Sequence, residues 1–144
     1  MKGSRFAGPA DSPGFLLWRT TNAWQRAVRA ALAPLDLTHV QFVVLASLTW
    51  RDDASTSQRQ LAAQAGLDEM MTSQVVRSLE ARGLLTRGRD TTDGRVRALA
   101  VTGQGRELTA EAVRVVEEAD GRFFAALGDD ASAFLAALRV LDDR

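Results

Sequence analysis

The sequence predicts a mainly α-helical chain of one domain with a single short β-hairpin, and three observations lead to this fold class. Apolar residues recur at three- and four-residue steps in six segments, as they do on the buried face of amphipathic helices. That period is absent between residues 84 and 101, where Asp93-Gly94 favours a tight hairpin turn. The length of 144 residues is typical of one domain.

Capping residues and glycines set the ends of the predicted helices. Ser57, Asp68 and Thr102 each precede an apolar-periodic run and are good N-caps, whereas Gly66 and Gly83 end two of these runs. Residues 1–13, rich in glycine and proline, are predicted to be a frayed arm. In chain order the predicted elements are helices at 14–35 and 38–48, a helix–turn–helix pair at 58–65 and 68–82, strands at 84–89 and 95–101, a helix at 103–127 and a last helix that contains 134–141.

Composition excludes several kinds of site. There is no cysteine, so the chain has no disulfide, no thiolate-bound metal and no cysteine nucleophile. His39 is the only histidine, which excludes zinc sites that need two. The carboxylate pairs Asp52-Asp53 and Asp129-Asp130 fit solvated loops or helix caps, and no set of nucleophile, base and orienting group is present. We therefore expect a protein that is not an enzyme and needs no metal or cofactor.

Charge is balanced over the chain but not along it. The 18 basic and 18 acidic side chains cancel, yet six arginines between Met70 and Arg97 face only Glu80, Asp90 and Asp93. Such a local excess of positive charge is the footprint of a nucleic-acid-binding surface. No apolar run approaches the ~20 residues that span a bilayer, and the first residues carry no apolar export signal. We expect a soluble cytoplasmic protein without a membrane partner.

The segment from Ser57 to Arg82 fits a helix–turn–helix, whose second helix reaches the DNA major groove when an apolar inner face holds it outward. The predicted inner face is Thr72, Val75, Val76 and Leu79. Glutamine pairs with adenine edges and arginine with guanine edges. The candidate DNA contacts are therefore Met70, Ser73, Gln74 and Arg77, with Ser57 and Gln58 at the start of the preceding helix. Taken alone, the pattern also fits any amphipathic surface helix with solvated side chains.

The predicted hairpin concentrates like charges. Arg87, Arg89, Arg95 and Arg97 lie on its two strands, where solvent or an anion must separate them. Asp93, two residues before Arg95, is placed to pair with that guanidinium. An arginine at a hairpin tip suits the minor groove of DNA, where negative potential is focused. We therefore predict that these four arginines and Asp93 belong to the DNA-binding site. The alternative is a solvated, charged hairpin.

Two motifs carry a specific resemblance. The first is Leu79-Glu80-Ala81-Arg82-Gly83-Leu84-Leu85, and the second is Asp93-Gly94-Arg95 followed by Val101-Thr102-Gly103-Gln104-Gly105. Together they resemble the MarR family of winged helix-turn-helix transcriptional regulators, named for multiple antibiotic resistance, over nearly the whole chain. Gly94 stands where arginine is common in that family, and Val101 replaces a leucine.

The resemblance implies a homodimer whose dimerisation helices, residues 14–35 and 103–144, interlock beside a DNA-binding lobe at 38–101. Helix 68–82 is then expected in the major groove and the wing, residues 86–97, in the flanking minor groove of a pseudo-palindromic operator. Apolar residues near the chain ends favour the same assembly, because such ends fray unless another surface covers them. These residues are Phe15, Leu16, Leu138 and Leu141. The alternative is that they close the core of a monomer.

Members of the MarR family commonly respond to small aromatic or phenolic anions bound between the two lobes, so the resemblance implies a repressor at the nucleoid that is released by such an effector. The two helices that would line this crevice carry Trp18, Trp24, His39, Phe42 and Trp50. His39 changes charge near neutral pH and is suited to meet a carboxylate. The alternative for these residues is core or interface packing. The alternative function is a winged-helix protein-interaction module, or a constitutive architectural DNA-binding module, without an effector.

Overall fold

The computed structural model describes residues 3–51, 56–89 and 97–143, and there it confirms a mainly helical fold with one hairpin. The elements in chain order are α1 (Pro13–Leu32), α2 (His39–Arg51), α3 (Gln58–Ala65), α4 (Glu69–Ala81), β1 (Leu85–Arg89), β2 (Arg97–Val101), α5 (Gly103–Phe124) and α6 (Ala131–Asp142). Within these ranges no single helix is long and apolar enough to cross a membrane, and α1 and α2 pass that test only as a pair bent by 80°. The division into a dimerisation lobe and a DNA-binding lobe stays a prediction.

Side-chain caps confirm the predicted starts of three helices. Ser57 and Gln60 form a capping box at α3, in which the Ser57 hydroxyl accepts from the Gln60 amide at 3.2 Å and Gln60 Oε1 accepts from the Ser57 amide at 2.8 Å. Asp68 Oδ1 accepts from the third amide of α4 at 2.7 Å. Thr102 Oγ1 accepts from the third amide of α5 at 3.0 Å and donates to the Gly83 carbonyl at 2.7 Å. Thr102 therefore joins the start of α5 to the turn after α4.

Some predicted boundaries are wrong by a few residues. The end of the predicted frayed arm is instead a 3-10 turn, after which the Ser12 hydroxyl caps α1. The fifth helix ends earlier than predicted, because the chain tightens into a 3-10 turn before Gly128, whose φ of 51° breaks the helix. The first strand begins one residue late, because the Leu84 amide still donates to the Leu79 carbonyl at 3.0 Å and closes α4.

A hydrophobic core joins the first five helices to the hairpin. Leu32 of α1, Leu45 of α2, Leu61 of α3, Leu79 of α4 and Leu85 of β1 are all fully buried. In the same cluster α5 contributes two residues, Ala112 and Val116. Burying one such leucine stabilises the fold by about 1.5–3 kcal/mol. α4 therefore shares one core with α1 and α5, and it packs directly against α2, α3 and β1.

The hairpin is attached to the body of the protein along its base. β1 and β2 pair antiparallel, from Leu85 opposite Val101 to Arg89 opposite Arg97. The Leu99 amide in β2 donates outward to the Thr56 carbonyl at 2.9 Å, so the segment before α3 extends the pairing. The base of the hairpin is thus fixed against α3, and its tip lies outside the described residues.

Apolar side chains stay exposed at the start of α1 and along α6. All four chain-end residues that the sequence predicts to need a cover are exposed: Phe15, Leu16, Leu138 and Leu141. Within α6, all of which the structure describes, no residue is buried. One chain therefore does not close a core over its ends, and this favours the predicted dimer over the monomer alternative.

Candidate nucleic-acid interface

α3 and α4 form the predicted helix–turn–helix. α3 ends at Gly66, whose φ of 64° is a left-handed conformation that glycine adopts without steric cost. Asp68 then caps α4 two residues later. The inner face of α4 is Thr72, Val76 and Leu79, each fully buried. Because this face is embedded in the core, the opposite face of α4 is held outward.

The outward face of α4 carries the predicted base-reading residues. Met70 is 75% exposed and Gln74 and Arg77 are exposed, whereas Ser73 is half-buried. Val75, which the sequence predicts on the inner face, is only half-buried as well. Spacings of four and three residues place Met70, Gln74 and Arg77 on one helical face. α4 therefore presents a thioether, a carboxamide and a guanidinium together, and these groups suit methyl groups and base edges in the major groove.

Ser57 and Gln58, the candidate DNA contacts at the start of α3, are less accessible than the exposed candidates on α4. The Ser57 hydroxyl is engaged in the capping box, and the Ser57 backbone forms an isolated bridge with Ala98 of the hairpin. Gln58 is half-buried, and its Oε1 is a buried atom with no hydrogen-bond partner among the described residues. Ser57 thus has a structural role at the helix start, and contact of either residue with DNA stays a prediction.

Arg87, predicted as a DNA contact, has an internal partner. Its Nε lies 3.2 Å from Glu80 Oε2, and the Arg87 side chain is only 22% exposed, against 42% for Glu80. Glu80 belongs to α4 and Arg87 to β1, so this ion pair connects the recognition helix to the wing. Sequence reasoning did not identify Glu80 as a site residue, because the pairing depends on how the strand leaves the helix.

The remaining wing arginines are described only in part. Arg89 and Arg97 face each other as the outermost pair of the ladder, and their side chains lie outside the described part of the structure. Asp93 and Arg95 lie wholly outside the described residues. Because Arg89 and Arg97 are the last ladder pair before the tip, they add positive charge at that end of the hairpin.

A polar network that sequence reasoning missed joins the corner between α1 and α2 to the end of α4. Gln41 Nε2 donates to Ser78 Oγ at 3.0 Å, and Arg82 Nη1 donates to the Asp36 carbonyl at 2.7 Å. Asp36 has a left-handed φ of 52°, which turns this corner of the chain. The T-x-x-Q spacing of Thr38 and Gln41 is a signal for part of the network, since the two form a capping box at the start of α2.

Two of the five predicted ligand-binding residues lie together. The ring centroids of Trp24 and His39 are 5.1 Å apart in an edge-to-face arrangement, and Trp24 Nε1 donates to Asp120 Oδ1 at 2.7 Å. This cluster joins α1, α2 and α5. The pKa of His39 is lowered from its ordinary value by burial and by the charge of Arg29, against an opposing effect of the Asp120 carboxylate. His39 is therefore held toward its neutral form.

The other three predicted ligand residues do not join that cluster. Phe42 is partly buried against the core, whereas Trp18 and Trp50 are 68% and 77% exposed. Trp24 also lines an apolar cleft of about 210 Å³ between α1, the end of α5 and α6, and Trp18 lines a separate, more open cleft. The contact of these residues with a ligand stays a prediction.

Comparison with known proteins agrees with this architecture. The model of the MarR family matches residues 37–96. The HTH-type transcriptional regulator YdcH of Bacillus subtilis is 45% identical over 125 residues, which cover 85% of each chain.

Two solved structures are similar along almost their whole length. CouR from Rhodococcus jostii, bound to p-coumaroyl-CoA, has a TM-score of 0.82 and 33% identity and covers 92% of both chains. The transcriptional repressor CouR bound to a 23-mer DNA duplex has a TM-score of 0.84 and 26% identity, covering 99% of this chain and 100% of that chain. With the helix–turn–helix, the hairpin and the relatives in agreement, the chain belongs to the MarR family of winged-helix transcriptional regulators, which bind DNA and are not enzymes.

Proposed function

We propose that this protein is a homodimeric, sequence-specific repressor that binds a pseudo-palindromic operator and releases it when an aromatic ligand binds. Each protomer places α4 in the major groove and the wing, residues 86–97, in the flanking minor groove. The protein acts in the cytoplasm, at the nucleoid. One observation carries this proposal: α4 has a fully buried inner face and an outward face that exposes Gln74 and Arg77.

The exposed apolar residues of α1 and α6 support a dimer as the binding unit. A second copy supplies the same faces in two-fold related positions, so the two sets of apolar residues cover each other. Two-fold symmetry then sets the two α4 helices about one helical turn of DNA apart, roughly 34–36 Å between half-site centres. The operator is therefore expected to be an inverted repeat.

The cluster of Trp24, His39 and Asp120 supports a ligand site at the junction of α1, α2 and α5. An indole edge against a neutral imidazole gives an aromatic wall with a hydrogen-bonding group, which suits a phenolic anion. The similar protein CouR binds p-coumaroyl-CoA, a phenolic and anionic molecule. Occupation of this site changes operator affinity by the typical allosteric coupling of about 1–3 kcal/mol.

Base preference is the measurement that tests the role of α4. The operator is selected from genomic fragments with purified protein and titrated by fluorescence anisotropy. Gln74→Ala and Arg77→Ala are each expected to cost ~1–3 kcal/mol and to relax preference at one operator position. Arg114→Ala is the matched control, because Arg114 lies on α5 and pairs with Glu118 at 2.8 Å. A uniform loss at every position would make these residues phosphate contacts, and no loss would remove α4 from the interface.

The wing and the salt dependence give a second test. Arg95→Ala is expected to weaken operator binding by about tenfold or more while the dimer stays folded. A DNA-binding protein that contacts ~6–10 phosphates loses about 10³–10⁵-fold in affinity between roughly 50 and 200 mM salt. A protein-interaction module would not bind the duplex, and an architectural binder would show little preference for the selected operator.

Ligand response is tested with a panel of aromatic acids and p-coumaroyl-CoA. Tryptophan emission reports binding, and anisotropy of labelled operator reports release. Trp24→Phe is expected to weaken both responses, because it removes the indole that contacts His39 and Asp120. Trp50→Phe tests a predicted ligand residue that lies outside this cluster and is exposed at the end of α2, and it is expected to leave both responses unchanged if the cluster alone holds the ligand. Release by no member of the panel would favour a constitutive regulator.

A further inference from the structure

The exposed surface of α4 carries two methionines, whose thioethers can undergo reactions that play no part in recognising bases. Met70 is 75% exposed and Met71 is 42% exposed, and both lie in the first turn of α4. The chain contains three methionines and no cysteine, and the third methionine is Met1. Its sulfur chemistry is therefore limited to thioethers, and the two internal thioethers both lie at the start of the recognition helix.

Met70 lies on the face that reads DNA. Gln74 is four residues and Arg77 seven residues further along α4, so all three side chains share one side of the helix. In a helix–turn–helix the N-terminal residues of the second helix contact the base edges. A chemical change at Met70 therefore occurs inside the proposed interface rather than at a remote surface.

We propose that Met70, with Met71 beside it, is an oxidation site through which hypohalous acids switch off DNA binding. This inference rests on the proposed function of α4. In the step, the thioether sulfur of Met70 attacks the chlorine of hypochlorous acid, the oxygen–chlorine bond breaks and hydroxide leaves. Water then displaces chloride from the sulfur, and with the loss of two protons its oxygen becomes the sulfoxide oxygen. The sulfur loses two electrons and becomes a sulfoxide, and the oxidant is reduced to chloride. Methionine sulfoxide reductases reverse the modification.

The sulfoxide changes the interface in a direction that opposes binding. A thioether is apolar and suits contact with thymine methyl groups. The sulfoxide oxygen is instead a hydrogen-bond acceptor, and it faces a groove and backbone rich in acceptor atoms and negative charge. The fold is expected to tolerate the change, because the inner face of α4 is formed by other residues, Thr72, Val76 and Leu79.

The test compares wild type, Met70→Leu, Met71→Leu and the double variant before and after a stoichiometric series of hypochlorous acid. Peptide mass spectrometry locates the added oxygen, circular dichroism and light scattering monitor fold and assembly, and anisotropy measures affinity for the selected operator. We expect oxidised wild type to lose about tenfold or more in affinity, as for a lost base contact. Treatment with both methionine sulfoxide reductases is expected to restore binding, because each enzyme reduces one sulfoxide epimer.

Each variant is compared with its own unoxidised form, so any effect of Met70→Leu on DNA binding is measured before oxidant is added. The double variant is expected to keep, after oxidation, the affinity that it has before oxidation. Met70→Gln provides a second measurement that needs no oxidant, because glutamine places an acceptor near the same position. It is expected to show a loss similar to that of the oxidised protein. The oxidation proposal would be overturned if oxidised wild type kept its full operator affinity, or if the oxidised double variant lost as much affinity as oxidised wild type. Either result would leave the proposed DNA-binding function standing. Failure of every unoxidised protein to bind any selected duplex would instead overturn the proposed function.

Discussion

The ion pair between Glu80 and Arg87 allows a sharp test of what positions the wing. If Arg87 holds the wing against α4, removing either charge frees the hairpin and weakens operator binding. If Arg87 instead contacts a phosphate, removing the Glu80 carboxylate leaves Arg87 more available and strengthens binding. Glu80→Gln therefore separates the two roles by the sign of its effect, and we expect weaker binding.

The magnitude follows from the geometry of the pair. The two charged atoms are 3.2 Å apart, and the side chains are 22% and 42% exposed, so the pair lies between a surface and a buried ion pair. Exposed pairs contribute about 0.2–1 kcal/mol, and this half-shielded pair falls at the upper end of that range. A loss of ~1 kcal/mol corresponds to about fivefold in operator affinity.

The assay is a double-mutant cycle with Glu80→Gln, Arg87→Gln and the double variant, read by operator anisotropy at fixed salt. We expect each single variant to lose about fivefold and the double variant to lose no more than either, because one interaction is removed in all three. The exposed pair Arg114 and Glu118 on α5 provides the control cycle, which is expected to leave affinity unchanged. An increase in affinity for Glu80→Gln, with a loss for Arg87→Gln alone, would refute the positioning role.

Three further predictions concern packing, protonation and assembly. Gly105→Ala is expected to lower Tm, at a cost of about 1–3 kcal/mol, because the new Cβ meets the Leu84 carbonyl and pushes α5 away from the start of the wing. The folded protein lowers the pKa of His39 below its ordinary value of 6.5, so the unfolded chain binds this proton more tightly. The stability that His39 contributes is therefore complete above pH 6.5 and is lost as the pH falls below it. His39→Gln is expected to flatten the pH dependence of the free energy of unfolding, measured by chemical unfolding. Leu138→Asp is expected to shift the dimer toward monomer in sedimentation velocity, because a charge then lies on the exposed apolar face of α6.

Each of these predictions has a control or a contradicting result. Gly121→Ala is in the same helix as Gly105, but none of the described residues has an atom within 4 Å of its added Cβ outside the helix backbone and chain neighbours. It is expected to keep or raise Tm. A stability profile of His39→Gln that is parallel to wild type between pH 5 and 7 would remove His39 as the titrating group. Gln64→Asp, on an exposed face of α3, is expected to leave the dimer intact. If Gln64→Asp and Leu138→Asp dissociate the dimer equally, the added negative charge alone explains the effect and the position on α6 does not.

Local signals predicted the helix starts because each one acts within a few residues. Ser57, Asp68 and Thr102 bond to amides three residues further on, so the sequence window that reveals them also contains their partners. The cap at Ser12 is not predicted, because glycines and prolines up to Pro13 indicate a frayed arm. A proline at the first helical position is instead compatible with a helix start, since its missing amide hydrogen has no role there.

Contacts between elements could not be predicted from periodicity. The hydrogen bond from Trp24 to Asp120 joins residues 96 apart in sequence, and no local pattern encodes it. The same limit explains Arg87, which belongs to a run of arginines in the sequence but is the one that the path of β1 brings to Glu80. Composition grouped Trp50 with Trp24, and only the direction of each side chain from its helix separates them.

The uncovered apolar faces of α1 and α6 influence how the regulator responds to its own abundance. When subunits are scarce, the paired form increases with the square of the subunit concentration, because association is bimolecular. Halving synthesis in that regime reduces the competent repressor about fourfold. Operator occupancy then follows a threshold in expression level, so a small change in translation or turnover is amplified before any effector is present.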